Sequence, residues 1–70
     1  MNNTKLKELR TKNNFTYQVM GDKLNVSKTF YWQLENNKRK LSYARSIQIA
    51  EIFDLKPDDI FYDDFLEIDL

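Results

Sequence analysis

The side chains best equipped for chemistry gather in one stretch of the chain. Lys28, Thr29, Trp32 and Gln33 follow the spacing i, i+1, i+4 and i+5, which puts them on one face if the segment is helical. Together they offer donors, acceptors and an apolar plate, a set suited to reading polar edges rather than to making bonds. Asn36, Lys38, Arg39 and Lys40 follow directly and are suited to holding anions. On most helices such a face is simply solvated, and a charge run is usually a solvated loop. Trp32 is the informative member, because a tryptophan among polar neighbours exposes a large apolar area with no core to explain it. Such a residue serves either a ligand or a protein interface.

Catalysis has little to draw on. The chain holds no histidine and no cysteine, so chemistry would fall to carboxylates, lysines and tyrosines in a domain too small for a water-excluding cleft. The same absence removes disulfides and thiolate zinc sites. The pairs Asp58-Asp59 and Asp63-Asp64 lack the alternating ligand spacing and turn glycine of a calcium loop, and read as helix-start and solubility charges. The expectation is a non-enzymatic protein without cofactor or metal.

Seventy residues allow one domain with one modest core, and 41% hydrophobic against 31% charged residues describe a globular chain. No apolar run approaches the roughly 18 residues that span a bilayer, and the start MNNTKLKELR has no signal-peptide core, so a cytoplasmic location is expected. The net charge of zero conceals a gradient. Residues 1–40 carry nine Lys/Arg against three Asp/Glu, a net of +6, and residues 41–70 carry two against eight, a net of −6. One end can face an anionic partner while the other faces away.

The elements that must position the polar face are short and closely joined, since Gly21 and Pro57 are the sole glycine and proline. Thr4 can cap a first helix with Leu6 and Leu9 inward, and Asn13-Asn14 can end it, because asparagine tolerates the left-handed conformation. Thr16 caps a second helix that ends near Leu24, with Met20 and Leu24 inward. A left-handed Asn25 then reverses the chain, and Ser27 caps a third helix, Lys28 to Glu35, with Tyr31 and Leu34 inward. Asn36-Asn37 stops it. Ser42 caps a fourth helix whose Ala44, Ile47, Ile49, Ala50, Ile52 and Phe53 cover most of the circumference and predict a central core helix. Pro57 suits the first turn of a last short helix, Asp58 to Phe61. The tail from Phe65 to Leu70 alternates, with Leu66, Ile68 and Leu70 on one side, and predicts a strand that pairs with a second copy, docks or frays.

Two short helices joined by a tight turn, the second with a polar outer face and a basic loop behind it, form a helix-turn-helix arrangement. Across residues 6–61 the series Leu9-Arg10, Phe15-Thr16, Met20-Gly21, Leu24-Asn25-Val26-Ser27-Lys28, Trp32 to Arg39, Ile49-Ala50 and Phe53 to Phe61 resembles the phage repressor/Cro-type (Xre-like) DNA-binding domains in register. The resemblance implies an all-α, compact five-helix domain over residues 1–62, with a C-terminal extension over 63–70 for which a strand is one form. Tyr17 stands where the family commonly has a glutamine that bonds a phosphate, and Gly21 where it prefers alanine. Asn25 and Asn37 replace the usual glycines. A small residue is expected at 21 so that the helices approach closely, with glycine costing about 1 kcal/mol in helix propensity.

The resemblance also implies roles. Arg10 and Glu35 would form an internal ion pair between the first and third helices. The third helix would lie in the major groove, Lys28 donating to guanine, Gln33 pairing with adenine, and Thr29 and Trp32 touching thymine methyls. Thr16, Tyr17, Ser27, Asn36, Lys38, Arg39 and Lys40 would hold phosphates. One helix reads few base pairs, so a homodimer on a double-stranded operator is expected, with Phe61, Tyr62, Phe65, Leu66, Ile68 and Leu70 as interface candidates. The function implied is sequence-specific transcriptional regulation, as a phage-type or mobile-element repressor. The competing reading is an interaction module, such as an antitoxin, whose acidic C-terminal third binds a protein and whose DNA binding is secondary.

Overall fold

Local signals place the helix starts. In the computed structural model, which describes residues 4–66, Thr16 Oγ1 accepts the Val19 N–H at 3.1 Å, Ser27 Oγ accepts the Phe30 N–H at 3.0 Å, and Ser42 Oγ accepts the Arg45 N–H at 3.1 Å. Each hydroxyl satisfies one of the orphan donors at a helix N-terminus. The helices are α1 (Thr4–Lys12), α2 (Tyr17–Leu24), α3 (Lys28–Glu35), α4 (Tyr43–Ile52) and α5 (Pro57–Leu66), with no strand among the described residues. None is long and apolar enough to cross a membrane.

The helix stops are equally regular. Asn14, Asn25, Asn37 and Asp54 sit at φ of 57–59°, one after each of the first four helices. At every stop two backbone bonds close the turn: Phe15 N–H to Arg10 O, Val26 N–H to Gly21 O, Lys38 N–H to Gln33 O and Leu55 N–H to Ala50 O, each with a second bond from the left-handed residue itself. This double closure satisfies the last carbonyls of the helix. Phe15, Val26 and Leu55 then pack half-buried against the core, whereas Lys38 stays exposed.

All five helices feed one core: Leu6 from α1, Met20 and Leu24 from α2, Tyr31 and Leu34 from α3, Ile49 and Ala50 from α4, Ile60 and Phe61 from α5. A close approach lies between α2 and the start of α3. A Cβ built on Gly21 would sit 2.8 Å from the Val26 carbonyl oxygen, 3.1 Å from that of Ser27 and 3.2 Å from the Lys28 nitrogen. Position 21 therefore requires glycine in this backbone, a stricter demand than the small residue expected.

Two expectations are corrected. α4 is not apolar all round in use: it buries Ser46, Ile49 and Ala50, while Ala44 and Ile47 face solvent. Ser46 enters the core because its hydroxyl donates to the Tyr43 carbonyl and so leaves no unmet polar group. The last helix does not stop at Phe61 but runs on through residue 63 to Leu66, taking in Phe65 and Leu66 from the expected strand. Phe61 and Phe65, one turn apart, bring their rings to 6.3 Å, and Phe65 also meets Tyr43 at 5.9 Å. Helical pairing of these aromatics outweighs the alternation. Glu67 to Leu70, with the interface candidates Ile68 and Leu70, lie outside the described residues. At the start of α5 the Asp59 carboxylate accepts the Lys56 N–H at 2.9 Å, a helix-start role.

Candidate nucleic-acid interface

The polar face is only as well placed as the buried side of the same helix. On that side Tyr31, Leu34 and Glu35 are all buried. The Glu35 carboxylate receives Arg10 in a fork, Nε to Oε1 at 2.7 Å and Nη2 to Oε2 at 3.2 Å, and also accepts the Tyr31 hydroxyl at 2.8 Å. Arg10 donates further from Nη1 to the Phe15 carbonyl at 2.9 Å. Its guanidinium carbon stands 4.2 Å from the Tyr17 ring centre. The ion pair implied by the resemblance is thus the middle of a larger cluster joining α1, α2 and α3. Bidentate geometry and full satisfaction are what a buried pair needs to offset its desolvation. Among the described residues no buried side-chain nitrogen or oxygen lacks a partner.

The cluster shifts its members. Burial raises the Tyr31 pKa far above the ordinary tyrosine value, and the adjacent Glu35 charge and hydrogen bond push the same way. Hydrogen bonding to Glu35 raises Arg10 further still, against the opposing effect of burial. Both groups keep their protons throughout the neutral range.

On the opposite side α3 presents Lys28 and Thr29, both exposed, with Trp32 39% exposed and Gln33 half-buried. The four therefore share the outer face, and Gln33 is the one already engaged: its Oε1 accepts Arg39 Nε at 3.0 Å. Asn36 donates from Nδ2 to the Trp32 carbonyl at 2.9 Å, closing the end of the helix. Lys38, Arg39 and Lys40 are exposed in the turn that follows. Thr16 and Ser27 stand at the N-termini of α2 and α3, and each hydroxyl, having accepted its capping bond, retains its proton to donate. Tyr17 is half-buried, its ring 6.2 Å from Tyr31, so its body belongs to the cluster.

Two residues at this face escaped the sequence reading. Phe30 is half-buried and lies under Arg39, whose guanidinium carbon is 4.3 Å from the ring centre, with Arg45 at 5.5 Å. Arg45 also donates to the Leu24 carbonyl at 3.3 Å and to Gln48 Oε1 at 2.9 Å, tying α4 to the end of α2. An aromatic inside α3 left out of the inner set was a usable signal for Phe30. Nothing local marked Arg45, whose partner is 21 residues away.

Of the expected interface candidates within the described residues, Phe61 is a core residue of its own domain and Phe65 is half-buried, whereas Tyr62 and Leu66 are exposed. Tyr43 and Ile47 on α4 are exposed as well.

A short helix, a left-handed turn and a second helix with one face locked inward and a polar face outward make the module that DNA-binding regulators use. The sequence model of a family described as a helix-turn-helix domain matches residues 3–62, and the chain belongs to that family, in keeping with the phage repressor/Cro-type resemblance. No curated protein and no solved structure matches the chain. A helix-turn-helix domain suggests a DNA-binding regulator.

Proposed function

We propose that this protein is a sequence-specific regulator of transcription that binds double-stranded DNA as a homodimer, a repressor of the phage or mobile-element type. The observation that carries the reading is the two-sidedness of α3: a helix clamped from within by Arg10 and Glu35 shows Lys28, Thr29, Trp32 and Gln33 to solvent at its start and outer face. Fixed placement is what groove reading demands, since a base edge is recognised only by donors and acceptors held at set positions. Lys28 is assigned to guanine, Gln33 to adenine, and Thr29 and Trp32 to thymine methyls. Thr16, Tyr17, Ser27, Asn36, Lys38 and Lys40 are assigned to phosphates, which set register without reading sequence.

The exposed Tyr62 and Leu66 with half-buried Phe65 support a second copy at α5, because two copies on half-sites about one helical turn apart would supply the specificity one helix lacks. The same exposed residues, beside the acidic Asp58 and Asp59, also favour the second reading, in which this end binds a different protein.

Fluorescence anisotropy on the DNA that flanks the protein's own gene, at several salt concentrations, separates the two. The proposal expects sequence-specific binding with two chains per site and a log–log salt slope of about −7, from about four phosphates neutralised per copy. Gln33→Ala should relax specificity at one base pair, and Lys38→Ala should weaken binding to all sequences alike and flatten the slope. Weak binding indifferent to sequence would make the fold a scaffold for a protein partner.

A further inference from the structure

We infer that Arg39 is a positioning residue for base recognition: it fixes the amide of Gln33 in one orientation, so that Gln33 accepts adenine and rejects the other bases. The inference rests on the DNA-reading proposal and departs from the phosphate role that the resemblance implied for Arg39.

A glutamine amide is ambiguous by itself, because rotation by half a turn exchanges its donor and its acceptor. Held one way it accepts from adenine N6 and donates to N7. Held the other way it can donate to guanine O6 or thymine O4. Arginine removes the ambiguity, since a guanidinium has donors and no acceptor, and the atom facing Arg39 Nε at 3.0 Å must be the Gln33 oxygen. A flipped amide would set N–H against N–H. The oxygen keeps a second lone pair for adenine N6, and the NH2 group remains available for N7. The count of donors and lone pairs leaves both bonds available at once.

Arg39 is itself held. Its guanidinium lies over the Phe30 ring at 4.3 Å, and Phe30 is half-buried in the helix that carries Gln33. The turn that brings residue 39 back to residue 33 is closed by the Lys38 N–H to Gln33 carbonyl bond at 2.8 Å and by Asn37 in the left-handed region. Ring, turn and guanidinium therefore fix one another before DNA arrives, which lowers the ordering loss on binding. A purely electrostatic residue would need only its charge. A planar donor edge aimed at Oε1 is specific to arginine, and lysine cannot reproduce it.

Arg39→Lys and Arg39→Met separate the roles. In the free protein, nitrogen relaxation of the Gln33 side-chain NH2 should show an ordered amide in the native chain and a mobile one in both variants. On DNA, Arg39→Lys should leave the salt slope unchanged yet reduce discrimination at the Gln33 base pair on the order of fivefold to tenfold, leaving other positions as they were. In the Gln33→Ala background the same change should have no effect on that base pair. An equally ordered Gln33 amide in all three proteins overturns the inference, as does an Arg39→Lys protein with native discrimination. Either result leaves the DNA-reading proposal standing. Native protein that binds without sequence preference overturns both.

Discussion

The chain reverses after α2 and after α3 by the same device, yet the two turns end in opposite surroundings. Each has a left-handed asparagine, Asn25 or Asn37, and each has the following N–H bonded back across the helix end, Val26 to Gly21 and Lys38 to Gln33. After the first, Val26 folds against the core beneath the close approach at Gly21; after the second, Lys38 stands in water beside Arg39 and Lys40. Backbone geometry does not distinguish a structural turn from one that presents charge. The side chain following the left-handed residue does, and the basic turn has the same backbone closure as the buried one. The inner side of the module should therefore answer to stability measurements and the outer side to binding measurements.

The largest effect belongs to the inner anchor. Arg10→Met leaves the Glu35 carboxylate buried with Tyr31 as its remaining partner, and breaking a buried pair from one side costs about 3–5 kcal/mol. That is comparable with the whole stability of a domain this size, so urea titration should find the variant largely unfolded. Replacing the whole cluster, Arg10→Met and Glu35→Leu together with Tyr31→Phe, should recover much of the loss, since apolar side chains of similar volume strand neither a charge nor the Tyr31 hydroxyl. Failure of the triple change to recover would place the anchor's value in positioning rather than in avoided charge burial. Gly21→Ala comes next. Alanine gains about 1 kcal/mol in helix propensity, but its methyl meets three backbone atoms of the turn, and overpacking against backbone costs about 1–3 kcal/mol. A net loss of stability is expected by urea titration, and a gain would mean the turn has room to give.

Tyr31→Phe is of similar size at neutral pH and carries a signature. It removes one donor from Glu35, at a cost of about 1–2 kcal/mol. Burial first, and Glu35 second, raise the folded tyrosine's pKa, whereas the unfolded chain ionises at about 10. Below pH 10 both states hold the proton and the contribution is complete. Above it the unfolded state releases the proton while the folded state keeps it, so stability falls as pH rises, by about 1.4 kcal/mol per pH unit. Urea midpoints at pH 9 and 11 should therefore fall more steeply in the native chain than in Tyr31→Phe. Equal slopes would place the Tyr31 hydroxyl in water.

The same division governs how much could be read beforehand. Caps and stops are local, so Thr16, Ser27 and Ser42 as starts and Asn14, Asn25 and Asn37 as stops were legible from residue type and position. Hydrophobicity summed around α4 was misleading, because it counted Ala44 and Ile47 as core and could not see that Ser46 meets its own polar need within the helix. The length of α5 was obscured by Tyr62-Asp63-Asp64 and by an alternation that a short window cannot separate from helical pairing of Phe61 with Phe65. At the candidate interface the outward set on α3 was legible from periodicity. The Gln33 to Arg39 bond was not, since it spans six residues across a turn whose closure had to be known first.

Lys38→Val makes the two turns alike in residue as well as backbone, and it carries the smallest expected change in stability. Val26 packs because core lies beneath it; Lys38 is exposed, so valine there gains little burial, and the urea midpoint should correspond to a change within about 0.5 kcal/mol. The effect should emerge in binding instead, with the salt slope flattened by about 0.9 for each copy of the chain that loses a phosphate contact. A variant that is both clearly stabilised and still bound with the native slope would show that Lys38 occupies a place the core could use, and that the turn after α3 serves the fold rather than DNA.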